Sequence, residues 1–239
     1  MTDRLAGQRV LIIGGAKYLG EAIARAAATE GAHVIVGARD QTRAEALVGE
    51  LPQAQAIHLD VAKEETIRAA ADTLGAVDHI VITASSHHNV PISDLEHDRI
   101  VDAFEAKIVG PMLVAKHFAP LMPPTGSFLL FSGTAAWNPT PGLSVMGVTN
   151  GAVAFLASHL AKELAPVRVN ALSPGITDSG TWDGLDEASR QGMYEGAAQS
   201  SLAGRVGTSQ DISEAAIWLL ASSYVSGETI HVDGGSRHA

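Results

Sequence analysis

The sequence predicts a doubly wound α/β protein: one parallel sheet, helices on both faces, a single domain. Three observations carry that expectation. Seven short runs rich in Val and Ile are continuously apolar rather than alternating, as strands buried on both faces are. Longer, Ala-rich stretches of helical length lie between them, and a repeated strand–helix order favours a parallel sheet with right-handed crossovers. A glycine-rich turn joins the first run to the first helical stretch.

In chain order the strand candidates are 9–13, 33–37, 55–59, 79–83, 127–132, 167–172 and 229–232. The helix candidates are 19–30, 43–51, 64–74, 94–121, 145–163 and 209–221. Segment 176–208, rich in Gly, Ser, Asp and Gln, is the least regular part of the chain. It is expected to be a loop or helical excursion over the ligand crevice, or else an ordinary surface insertion.

Composition narrows the function classes. Lys plus Arg is 16 and Asp plus Glu is 26, a net charge of −10. That balance argues against nucleic acid and anionic lipid as partners. With 46% apolar residues the chain can build a core, which excludes intrinsic disorder. The chain has no Cys, so disulfides, a thiol nucleophile and thiolate-ligated metals are ruled out. Its ten histidines show no His-Glu-x-x-His spacing, and no catalytic metal is expected. No stretch approaches the roughly 20 apolar residues of a bilayer span, and residues 1–8 contain no long apolar segment. A soluble, cytoplasmic protein is the expectation.

Val10-Leu11-Ile12-Ile13-Gly14-Gly15-Ala16-Lys17-Tyr18-Leu19-Gly20 runs from strand through turn into helix. Glycine there permits positive φ and close backbone approach. The following helix offers free N–H groups and a positive dipole end to a pyrophosphate. The bland alternative is a tight turn with no ligand. After the second strand come Ala38 and Arg39, where an acidic residue would bind a ribose 2′-hydroxyl and an Arg would accommodate a 2′-phosphate. Arg39, with Lys17 as a second cation, favours NADP(H) over NAD(H), unless both are merely solvated. Asp60, at the end of the third strand, is a candidate acceptor for an adenine amino group or a helix N-cap for the stretch from Val61.

Taken together, the sequence resembles the short-chain dehydrogenase/reductase family over nearly its whole length. The carriers are Gly14 to Gly20, Leu59-Asp60-Val61, Val77-Asp78-His79-Ile80-Val81, Arg168-Val169-Asn170-Ala171-Leu172-Ser173-Pro174-Gly175 and His231-Val232-Asp233-Gly234-Gly235. The resemblance implies a seven-stranded Rossmann-type sheet and a homo-oligomer, dimer or tetramer. It also implies hydride transfer between a nicotinamide and a small carbonyl or alcohol substrate. By the same resemblance Gly14, Leu19, Gly20, Val61, Ala84, Pro174, Gly175, Ile176 and Ser179 are coenzyme-binding positions.

Several positions depart from the family. Its glycine turn reads Thr-Gly-x-x-x-Gly-x-Gly, but Ile13 replaces the Thr and Tyr18 the middle Gly, where a side chain would crowd or cover the pyrophosphate. The Asn-Asn-Ala-Gly segment becomes Ile82-Thr83-Ala84-Ser85. Of the family's Asn, Ser, Tyr and Lys, alignment puts Lys107 at the Asn, Gly133 at the Ser, Met146 at the Tyr and Asn150 at the Lys position. A thioether has no proton to give. Lys and amide have changed places, so one ammonium and one amide remain in the pocket. Lys107 then takes over part of the lost Lys role as acid or water-orienting group, or it is simply an exposed helix residue. Ser132 or Thr134 is the candidate for polarising a substrate carbonyl. His87 and His88 are candidate proton shuttles or solvated loop residues. His117 and His159 are expected only to pack. Trp137, Trp182 and Met193 are candidates for an apolar pocket, whereas Trp218 is expected to pack.

Three functions are compatible with this pattern. One is an atypical NADP(H)-dependent oxidoreductase. Another is a degenerate relative that binds coenzyme or a small ligand as a sensor or non-catalytic subunit. The third is a lyase or isomerase reusing the pocket.

Overall fold

The computed structural model describes residues 3–239. Strands β1 (Arg9–Ile13), β2 (His33–Ala38), β3 (Ala54–His58), β4 (His79–Ile82), β5 (Ser127–Phe131) and β6 (Arg168–Pro174) alternate with helices. The helices are α1 (Tyr18–Thr29), α2 (Gln41–Val48), α3 (Glu64–Leu74), α4 (His97–Phe104), α5 (Gly110–Phe118) and α6 (Ser144–Glu163). Then come β7 (Thr177–Asp178), α7 (Glu187–Gln199), β8 (Gly207–Thr208), α8 (Ser209–Ala221) and β9 (Thr229–Val232). Seven strands form one parallel sheet in the order β3-β2-β1-β4-β5-β6-β9. The order reverses between β1 and β4, and ligands of such sheets bind outside the carboxyl ends at that point. Register aligns those ends: Ile13 faces Gly37 and Ile82, and Ile82 faces Leu130.

The apolar runs are continuous because each strand feeds two cores. Leu11, Ile13, Ile80, Ile82, Phe128 and Leu130 pack on one face with Ile67, Phe118 and Leu156 of α3, α5 and α6. Val10, Ile12, Val36, Val81, Leu129 and Phe131 pack on the other with Ile23, Leu47 and Ile217 of α1, α2 and α8. Each such side chain contributes about 1.5–3 kcal/mol of burial, and both faces are needed to fix the carboxyl edge.

Two expectations are corrected. The single helix over 94–121 is interrupted. A 3-10 turn at Ile92–Asp94 stands apart from α4, and a π turn over Glu105–Val109 separates α4 from α5. There the Gly110 N–H reaches back five residues to the Glu105 carbonyl. Pro111 supplies the cause: it has no N–H for the Lys107 carbonyl four residues back, and its ring would strike that carbonyl in a regular helix. Helix α6 spans 20 residues at a hydropathy of 1.2, so one stretch is long and apolar enough to cross a bilayer. In the fold its Val145, Val153, Leu156 and Ala157 are buried. Segment 176–208 is a helical excursion closed at its base by a two-stranded parallel pair, Thr177 with Gly207 and Asp178 with Thr208. Its helix α7 buries no residue fully and is tied down at its edge by Tyr194 Oη donating to Asp178 (3.0 Å).

Side chains expected to pack also behave differently. His117 Nε2 meets Glu64 Oε1 at 2.9 Å, joining α5 to the start of α3. His159 and Trp218 are exposed.

The opposite, amino-terminal edge of the sheet holds a buried histidine. His79 Nδ1 lies 2.8 Å from Ser127 Oγ and Nε2 lies 2.8 Å from Gln8 Oε1. An amide oxygen only accepts, so Nε2 carries a proton. Burial, then the nearby Arg168 charge, pushes its pKa from 6.5 down to about 4. Between those values the unfolded chain binds a proton that the folded chain refuses, so stability falls as pH falls through the window. Chemical denaturation from pH 7 to pH 4 is expected to show a loss of roughly 3 kcal/mol from this residue, absent in His79→Gln.

Candidate active site

The carboxyl edge is built first by the turn after β1. Gly14 has φ of +85° and lies so close to the chain after β4 that a Cβ would stand 2.8 Å from Ala84 N and Thr83 Oγ1. Thr83 N–H and Oγ1 both donate to the Ile13 carbonyl (2.9 and 3.2 Å), clamping the two strand ends. Gly20, on the first turn of α1, packs against the Gly14 carbonyl. Lys17, the N-cap of α1, makes no side-chain cap, so the helix start keeps its amide donors for an anion.

Tyr18 occupies the middle glycine position at φ +53°, a left-handed conformation that costs a non-glycine residue about 1–2 kcal/mol. Its ring reaches the loop after β7, with Cδ1 3.2 Å from the position of a Cβ on Gly180. The Lys17 ammonium lies 4.8 Å from the ring centroid. Tyr18 therefore bridges the glycine turn and the excursion, as a cover rather than a plug of the turn itself. Ser179, beside Gly180, is half-buried and shares a 3.0 Å contact with Thr181 Oγ1. Leu19, Pro174 and Ile176 are half-buried along the same edge, and Val61 is buried. Gly175 abuts Asp233 at the end of β9.

At the adenine end, Ala38 is buried and Arg39 is exposed with no salt-bridge partner among the described residues. The neighbouring Asp40 is turned away, accepting from Arg43 N at 3.1 Å as the N-cap of α2. Asp60 Oδ1 accepts from Ala62 N at 3.1 Å. It caps a turn ahead of α3 rather than a helix beginning at Val61, and its second oxygen makes no hydrogen bond among the described residues. These donors, cations and free helix N-terminus fit a dinucleotide.

The exchanged pair meets in space. The π turn aims Lys107 inward between β5 and α6, where it is 8% exposed. Nζ donates to the carbonyls of Phe131 (3.0 Å) and Ser132 (3.3 Å) and to Asn150 Oδ1. Lys107 is thus a buried ammonium, not a solvated one. Burial pushes its pKa from 10.5 down to about 7, while three oxygen acceptors favour the charged form. Among the described residues no carboxylate bonds to it. Ser132 Oγ donates to the Asn150 carbonyl at 2.8 Å, so its one proton is engaged in fastening β5 to α6. Met146 is half-buried on the first turn of α6.

Thr134 points elsewhere. Its Oγ1 and Ser236 Oγ are buried without partners. Both border a cavity of about 140 Å³ reached by Gly175, Ile176, Ser201 and Asp233. Trp137 stands nearby, edge-on to His231 at 4.4 Å, and Trp182 and Met193 are half-buried in the excursion. His88 is buried, its Nε2 accepting from Glu96 N at 3.0 Å, which holds the loop to the start of α4. His87 Nε2 lies 3.2 Å from Ser85 Oγ. Desolvation and then the Lys107 charge lower its pKa, leaving it neutral at pH 7.

Two participants escaped the sequence argument. Gly180 is visible only as Tyr18's neighbour in space. Gly133 was aligned as a loss, yet a Cβ there would stand 2.7 Å from Asn150 Nδ2, so the amide occupies the room the missing side chain leaves.

Comparisons with known proteins agree on the family. A family model described as enoyl-(acyl carrier protein) reductase matches residues 14–237. Short-chain dehydrogenase/reductase ucsE from Acremonium sp. is 29% identical over 98% of this chain and 97% of its own length. A small-chain dehydrogenase solved in complex with NADPH is 30% identical with a TM-score of 0.86, covering 98% of this chain and 100% of that one. MalC reductase/Diels-Alderase from Malbranchea aurantiaca is 26% identical with a TM-score of 0.92, covering 100% and 99%.

The Lys107 proton yields a measurable sign. Between pH 7 and pH 10.5 the unfolded chain holds a proton the folded chain has released, so stability rises with pH across that window. Lys107→Met removes the titrating group; its denaturation midpoint is expected to stay flatter over pH 7–10 than that of the native chain.

Proposed function

The chain belongs to the short-chain dehydrogenase/reductase family, and on that premise we propose that it is an NADP(H)-dependent oxidoreductase acting on a small carbonyl or alcohol substrate. Members of the family bind a nicotinamide coenzyme. The observation that carries the phosphorylated form is Arg39, exposed and without a salt-bridge partner among the described residues just after β2, where Ala38 supplies no acid and Asp40 is committed to α2. An acidic side chain at that point would repel a 2′-phosphate, and a guanidinium pairs with one. The relative bound to NADPH supports the same choice.

In this reading Gly14, Leu19, Gly20 and the free start of α1 hold the pyrophosphate. Lys17 and Arg39 take the 2′-phosphate, Asp60 and Val61 border the adenine, and Ala84, Pro174, Gly175, Ile176 and Ser179 border the nicotinamide half. Tyr18 covers the pyrophosphate from the side of Gly180. The coenzyme, when bound, supplies or accepts the hydride. The chain's own contribution is a pocket walled by β5 and α6, in which Lys107 places a buried amino group that carries its positive charge on the acid side of about pH 7 and Asn150 presents an amide. The cavity beside Thr134 receives part of the substrate.

Met146 favours a second reading, a relative that binds coenzyme without hydride transfer, because no phenol stands ready to exchange a proton. One experiment separates the two. Fluorescence titration with NADPH and NADH, followed by turnover against ketones, quinones and aldehydes, is expected to show tighter NADPH binding and coenzyme oxidation with at least one class. Binding without turnover across the panel supports the second reading. Arg39→Ala is expected to weaken NADPH by about tenfold or more, the scale of one charge-assisted contact, and to leave NADH nearly unchanged; equal losses count against the 2′-phosphate assignment.

We also propose a homo-oligomer, dimer or tetramer. Val148 and Phe155 lie two turns apart on one side of α6, and Phe155 is 72% exposed. Val101 and Met112 of α4 and α5 are exposed as well, and water-facing apolar side chains grouped on adjoining helices suit a subunit contact. Size-exclusion chromatography with light scattering is expected to give a dimer or tetramer that Phe155→Glu dissociates; a monomeric native chain removes the proposal.

A further inference from the structure

We propose that the Asn150 carboxamide is the electrophilic group of this site: its Nδ2–H, polarised through Oδ1 by the Lys107 ammonium, donates to an oxygen of the substrate in the space in front of Gly133. The proposal rests on the oxidoreductase reading and names the group that replaces the family's hydroxyl donors.

Four observations converge on it. First, the orientation of the amide is determined. An ammonium only donates, so the atom facing Lys107 is the oxygen, and Nδ2 is the atom on the other side. Second, Asn150 is 3% exposed, yet its Nδ2 hydrogen-bonds nothing among the described residues. That atom is not among the polar atoms sealed from solvent without a partner, so the N–H of an otherwise buried side chain stands free on the open side, where an acceptor from a ligand can reach it. Third, Nδ2 lies against Gly133, where any side chain would collide with it at 2.7 Å. The loss of a hydroxyl-bearing side chain at 133 and the gain of an amide at 150 are therefore one structural change. Fourth, the donor is held still: Ser132 Oγ fixes the Asn150 carbonyl, and the Phe131 and Ser132 carbonyls fix the ammonium behind it.

The chemistry follows from the arrangement. An amide whose oxygen accepts from a cation becomes a stronger N–H donor, and the effect grows where water is excluded. Such a preorganised donor stabilises negative charge gathering on a carbonyl oxygen. Were hydride delivered to a carbonyl carbon held here, the C=O π pair would move to oxygen, and Nδ2–H would donate to the charge gathering there. The amide surrenders no proton; water protonates that oxygen, and the hydroxide left is neutralised by the medium. Asn150 is then the residue that touches substrate. Lys107 is a positioning residue acting through it.

The test uses acetate, whose oxygens imitate the charged oxygen, and the full-length chain labelled with ¹⁵N-asparagine, without coenzyme. The Asn150 side-chain resonance is assigned by its loss in Asn150→Asp, which keeps an oxygen partner for Lys107. Titration is expected to move that resonance saturably, with chloride at equal ionic strength leaving it in place. In Lys107→Met the acetate affinity is expected to fall about tenfold, one strengthened hydrogen bond's share. In Gly133→Ala, an extended position that any residue adopts, the displaced amide is expected to lose the response. A resonance that ignores acetate overturns the proposal, and so does an unchanged affinity in Gly133→Ala, which decides the matter even if Lys107→Met does not fold. NADPH titration is read separately, so failure of the coenzyme assignment and failure of the amide donor are distinguishable.

Discussion

A positive charge taken out of water must be surrounded by acceptors, and the ammonium of Lys107 imposes that demand on the centre of this protein. No carboxylate among the described residues meets it. Two backbone carbonyls at the end of β5 and the amide oxygen of Asn150 do instead. Isolated buried charges are costly enough that such a group neutralises or finds several oxygens. Once those oxygens are committed, the positions of β5, α6 and the π turn between α4 and α5 are no longer independent. Ser132 is drawn into the same arrangement through its bond to Asn150, and Gly133 is kept bare by the amide beside it.

The wider fold serves to deliver these pieces to one edge. Two cores grip the sheet from both faces, so the carboxyl ends of β1, β4 and β5 are level and rigid. Gly14 brings the first turn against the chain after β4, and Thr83 binds it there. The excursion is held less firmly. Its helix α7 buries nothing fully, and its closest tie to the coenzyme turn is the Tyr18 ring lying on Gly180. A rigid floor under a lightly anchored roof suits a site that must admit a large coenzyme and then shut water out.

Much of this was legible in the residues. Continuous runs such as Val10 to Ile13 announced strands buried on two faces, and the glycine string announced the tight turn between β1 and α1. The exchange of Lys107 and Asn150 was visible as a paired departure from the family's pattern. Other features were hidden for identifiable reasons. The interruption of the helix over 94–121 needed the consequence of Pro111 for the Lys107 carbonyl, a local clash masked by strongly helical neighbours. His88 and Ser132 look like free polar groups in sequence, and only their partners, Glu96 N and the Asn150 carbonyl, reveal that both are fastening points.

By itself the amino-acid sequence determined the architecture and the order of strand and helix, because periodicity and residue chemistry are local properties. The tertiary structure alone decided which atom of Asn150 meets Lys107, which acceptors surround the ammonium, and which donor is left over. Those outcomes depend on contacts between segments that lie 24 to 43 residues apart in the chain. A buried charge selects its partners by distance and direction in three dimensions, and neither quantity is written along the chain.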